Sequence, residues 1–312
     1  MLETLPAPDN HECAGNVHWL DALDDLRVSP ELADIVRARV RVADSAASAV
    51  EKALRRVIVN VGGELRAALS SSTVTDAVRR EILATTLRDL RDLLDDAGLA
   101  EARDRFFTRF DDMDDLAEEL LEVGGVDEAA RILDEPATRL GLDAAEARQL
   151  RAWQGKIELP MAERILDGLQ TSLTGESLTS VIERIQDAED RSVGSATTEA
   201  RTMIAEYDRA AQEEATLGAE REGFEFVRVY LGPEDRITRP FCRALVGKAF
   251  DRDEIAALNN GQTSTAPLFS GGGYNCRHSF VAMSPGAVAD SGVERGTMTD
   301  VRAANAAGRG KR

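Results

Sequence analysis

The feature that most constrains this chain is an apolar series that opens just after Pro30 and steps by threes and fours. Leu32, Val36, Val40, Ala43, Ala47, Val50, Leu54, Val57 and Val61 all fall on one helical face. Such a stripe has to be covered, so a long helix packed against other helices is the first expectation. Ser29 is placed to cap it, Pro30 suits its first turn, and Glu31 favours the positive end of its dipole. Gly62 and Gly63 are expected to end it. A second stripe follows over about 74–97, carried by Val78, Ile82, Leu83, Leu87, Leu90 and Leu94 and punctuated by Gly98.

Further helices are expected at about 99–122, 126–140, 143–154 and 160–171. Ser180 and Glu183 have capping-box spacing ahead of "VIERIQDAEDR", and a last helix is expected at about 196–221. There the texture changes. "FEFVRVYL" alternates apolar and polar residues with β-formers, as a strand does, and Gly, Pro, Asn and Thr become frequent. The fold class is therefore α+β, with a long helical region followed by a small short-strand module. Its expected parts are an extended N-terminal arm (1–28), a helical region (29–195), the module (196–285) and a flexible Ala/Gly/Arg-rich tail (286–312).

Charge narrows the partners. The net charge is −18, yet residues 224–312 hold 12 Lys and Arg against 9 Asp and Glu, so the acidity belongs to the preceding part. That part repels a phosphate backbone, which excludes tight nucleic-acid wrapping by the helices. No run approaches the roughly 20 apolar residues of a membrane span, and "MLETLPAPDNHECAG" lacks the regions of a signal peptide.

Familiar catalytic patterns are missing: no P-loop, no GxGxxG after a strand, no GxSxG and no HExxH. The acidic run 111–115 fails as a calcium loop, since the sixth position holds Leu116 where glycine is needed, and reads as a solvated helix start. What remains is Cys and His chemistry, three of each in the whole chain. His11 and Cys13 lie in the arm. Cys242, Cys276 and His278 offer three ligands of the kind zinc takes, with Asp235 or Glu234 as a candidate fourth. A Cys242–Cys276 disulfide and plain core residues are the alternatives, and three cysteines are no disulfide framework. A nucleophilic Cys–His pair lacks a third group to orient the imidazole.

Residues 196–284 as a whole resemble the Mu protein F-like family, the minor head or head-morphogenesis proteins of tailed viruses. The resemblance is carried in order by "EARTMIAEYDRA", "FVRVYLGPEDRITRPFC", "VGKAF" and "APLFSGGGYNCRHSFVAM". The residues that match the family's pattern are Asp235, Thr238, Arg239, Cys242, Gly247, Phe250, Pro267, Gly273, Asn275, Cys276, Arg277 and His278. The family implies a structural, non-enzymatic virion protein present in several copies in the head or at the portal vertex. It would assemble in the host cytoplasm, with the portal protein and/or the major capsid protein as partners and with neither a membrane nor sequence-specific nucleic acid. Some members continue into toxin or transferase domains, and the stretch after Pro285 is too short for one. A structural zinc at Cys242, Cys276 and His278 is compatible with this role. The rival expectation is a zinc-dependent nuclease or transferase, with Glu234 or Asp235 as acid or base.

Overall fold

The computed structural model describes residues 29–69, 89–172 and 178–309, together with residues 81 and 85. The arm at 1–28, with His11 and Cys13, and most of the stripe at 74–97 lie outside them. The α+β class is borne out: a helical body precedes a four-stranded sheet.

Helix α1 runs Pro30–Leu69, with the Ser29 hydroxyl accepting the Leu32 N–H at 3.2 Å. Its stripe is buried as expected at Leu32, Val36, Ala47, Val50, Leu54, Val57 and Val61. It does not stop at Gly62 and Gly63. Neither glycine takes a positive φ, and a glycine inside a helix costs only about 1 kcal/mol relative to alanine. Short α2 (Leu90–Asp96) and α3 (Leu99–Phe107) are separated by Gly98 at φ +106°, as its punctuating role implied. The helix expected over 99–122 is broken at Thr108, after which α4 spans Arg109–Val123. Helices α5 (Ala129–Leu133) and α6 (Pro136–Trp153) divide the next stretch at a proline, which favours a first helical turn. A π-helical turn at Gln154–Glu158 leads into α7 (Leu159–Ser172).

Helix α8, Leu178–Arg221, is the spine of the molecule. The boundary expected at 195/196 falls inside it. Gly194 keeps a helical backbone, and Val193, Ala196 and Ala200 are buried in sequence on one face. Helices α1, α4, α6 and α7 pack along α8, and its small residues Ala200, Ala211, Ala215 and Ala219 let those neighbours approach closely.

The sheet has the order β3-β1-β2-β4. Strand β1 (Val227–Leu231) pairs antiparallel with β2 (Lys248–Phe250) and with β3 (Ser279–Met283), while β4 (Glu294–Arg295) pairs parallel with β2. Alternation sorts the side chains into two layers. Val229, Leu231, Ala249, Val281 and Met283 join the core of the helical body. Tyr230, Phe250 and Phe280 face a second core with Phe241, Leu245, Ile255 and Leu258. Body and module thus share one continuous core through the first face of the sheet.

Short helices cover the second face: α9 (Pro240–Arg243), α10 (Arg252–Ala256) and α11 (Pro267–Ser270). The stretch expected as a flexible tail instead forms α12 (Pro285–Ser291), β4 and α13 (Met298–Arg309). Val301 and Ala304, three apart on α13, are buried in the second core. Only two anchoring side chains do this, too few for an apolar stripe to be visible in so Ala-rich a segment. Among the described residues no helix is long and apolar enough to cross a membrane.

Candidate functional site

Cys242 sits on α9, just after β1, while Cys276 and His278 lead into β3. The antiparallel pairing of β1 with β3 brings these points together. Cys242 Sγ and Cys276 Sγ are 3.7 Å apart, and His278 Nδ1 is 3.8 Å from Cys276 Sγ. The three ligand atoms all lie within 4.8 Å of one another. Exposure is 1% for Cys242, 5% for Cys276 and 3% for His278, so the group is sealed from solvent. Both thiols are free.

The surroundings are fixed by backbone. The Gly272 N–H donates to Cys276 Sγ at 3.0 Å. A Cβ on Gly272 would stand 2.2 Å from Cys242 Sγ, so only glycine fits. Gly232, at φ +156°, lets the His278 ring lie where a Cβ would meet it at 2.6 Å. Tyr230 was not singled out in the sequence, yet its hydroxyl lies 3.5 Å from Cys242 Sγ and 4.0 Å from Cys276 Sγ, and its ring stacks on His278. Arg209 of α8 is a second residue that sequence reasoning missed. Its guanidinium donates to the carbonyls of His278 (3.0 Å), Phe269 (3.1 Å) and Cys276 (2.6 Å). The only sequence signal for it was its place inside the "EARTMIAEYDRA" element.

The hydrogen bond between the two sulfurs, with His278 and Arg209 nearby, holds the Cys276 thiol well below its ordinary range, against the effect of burial. The Cys242 thiol is pushed up by its hydrogen bond to Cys276 and by burial. Burial also raises the Tyr230 phenol.

Asp235 stands outside this group. Burial would raise its carboxyl, but the Arg277 guanidinium at 2.7 Å, the Thr238 hydroxyl and the Ile237 N–H hold it below the usual carboxylate range. The expected fourth metal ligand is therefore engaged in a clamp. Glu234 is half exposed, and its nearest cation is Arg243 at 3.8 Å.

The remaining pattern residues close the module. Thr238 bridges Asp235 and the Pro233 carbonyl, and Arg239 donates to the Tyr274 carbonyl. Gly247 at φ +75° donates its N–H to the Tyr230 carbonyl. Phe250 fills the second core and Pro267 opens α11. Gly273 and Asn275 supply the positive φ values of the closing turn. The Asn275 N–H donates to Thr202 Oγ1 on α8 at 3.0 Å. No family model, curated protein or solved structure matches the chain.

Proposed function

We propose that this chain is a minor capsid protein of a tailed virus, joining the head at or near the portal vertex during assembly. The observation that carries the reading is a convergence. Three sequence-distant pieces of the Mu F-like pattern meet at one closure: Thr202 on the helix, Asp235 and Arg239 after β1, and Asn275 with Arg277 before β3. Their contacts hold the module shut and tie it to the helical body. The burial of Cys242, Cys276 and His278 supports a structural use over the nuclease or transferase alternative, because a catalytic metal keeps a position open to water and substrate. The net charge of −18 favours protein partners over a nucleic-acid backbone.

Co-expression with the portal protein of the same virus tests this reading. A complex of defined stoichiometry that survives size exclusion is the expected outcome. A chain that elutes alone, with neither portal nor major capsid protein, contradicts it.

A further inference from the structure

We infer that Cys242, Cys276 and His278 bind one zinc ion, with the Tyr230 oxygen, rather than Asp235, at the fourth position. This site stands independently of the head-assembly reading.

The distances carry the inference. Zn–S bonds of about 2.3 Å at a tetrahedral angle separate two sulfurs by about 3.7–3.8 Å, and pairing sulfur with a nitrogen or oxygen at about 2.0 Å gives roughly 3.5 Å. Here the sulfurs are 3.7 Å apart, the His278 Nδ1 is 3.8 Å from one sulfur, and the Tyr230 oxygen is 3.5 and 4.0 Å from the two. Four of the six separations among these ligand atoms thus lie near tetrahedral edge lengths, and the Cys and His ligand atoms all fall within 4.8 Å of one another.

Unmet chemistry points the same way. His278 is buried, and its Nδ1, at 3.8 Å from Cys276 Sγ, is too far for a good hydrogen bond and faces the sulfurs. The Gly272 N–H on Cys276 Sγ gives the sulfur the kind of backbone donor that orients a thiolate ligand. Two thiolates, a neutral imidazole and a protonated phenol around a dication leave the site uncharged, which suits its burial.

The consequence is a cross-link. The ion would join the segment after β1 to the entry of β3, across 34 residues of chain. A metal enclosed this way is taken up as the module folds, so no entry channel is needed.

The test is metal content of the full chain purified without a histidine tag from zinc-replete cells. About one zinc per chain is expected. In the cobalt-substituted protein, thiolate-to-metal charge transfer and tetrahedral ligand-field bands are expected. Cys276→Ser should lose the metal, and Tyr230→Phe should keep it with affinity reduced at least about tenfold. A well-folded wild-type chain with fewer than about 0.1 zinc per chain would overturn the site, whatever the variants do. An intact mass about 2 Da low, with no free thiols at these positions, would overturn it in favour of a disulfide. Unchanged affinity in Tyr230→Phe would remove Tyr230 from the ligand set.

Discussion

Replacing Arg39 by methionine should destabilise the protein more than any surface change. Arg39 on α1 grips Asp208 on α8 bidentately, with Nε 2.7 Å from Oδ1, and its Nη2 also donates to Ser279 Oγ on β3. The two side chains are only 5% and 10% exposed. Methionine keeps most of the apolar stem, so packing changes little while Asp208 is left as a buried charge with Gln212 as its remaining side-chain partner. Breaking such a pair from one side costs about 3–5 kcal/mol, or roughly two to four decades in the unfolding constant. Removing both charges, in Arg39→Met with Asp208→Leu, should return stability to within about 1–2 kcal/mol of wild type, because the desolvation penalty goes with them. Urea unfolding followed by circular dichroism measures all four corners of the cycle. Hydrogen exchange should show lost protection at Ser279–Met283, since the arginine spans body and sheet. A single Arg39→Met variant costing less than about 1 kcal/mol, with β3 protection intact, would refute the reasoning.

Three further outcomes follow from the same structure. Burial pushes Asp114 up to about 6, against the Tyr207 hydrogen bond and Arg139, so its ionised form is disfavoured in the folded state. Its contribution is present below the unfolded value and is lost as pH rises through about 6. Asp114→Asn should therefore stabilise by about 1–2 kcal/mol at pH 8 and lose that advantage near pH 4, and a melting-temperature gain independent of pH would be the wrong result. Gly272→Ala should cost about 1–3 kcal/mol or more, because its Cβ meets the Cys242 sulfur. Gly141→Ala should be neutral or stabilising, because its Cβ meets only the movable Glu214 side chain on a helix that favours alanine. Truncation after Arg295 should uncover the second core and make the 240–270 stretch sensitive to limited proteolysis, whereas a tail that merely hangs free would be removed silently.

Patterns set by local chemistry were readable in the chain itself. Ser29 caps α1, the 32–61 stripe is buried, Gly98 breaks the chain, and "FVRVYL" is a central strand, because each follows from periodicity or from a single residue's φ preference. Buried charge was not. Arg39, Asp208, Arg209 and the Arg228–Glu213–Glu220 network sit on elements where an isolated charge reads as a solvated face, and only tertiary packing decides otherwise. The Cys/His cluster was legible because cysteine and histidine are so rare here. The neighbour beside it was not: Asp235 stood out by type and nearness in sequence, while Tyr230, whose hydroxyl lies beside both sulfurs, enters from the strand through the pleat of the sheet. Helix α13 was missed because two buried residues, Val301 and Ala304, give too little apolar signal to outweigh its composition.

The most direct measurement of the central claim is the composition of purified viral particles. Quantitative mass spectrometry of the mature heads should find this chain at a fixed, low copy number relative to the major capsid protein, in constant ratio to the portal protein. Particles assembled without the chain should differ in yield or completeness. Heads of normal yield that contain none of it would contradict the account.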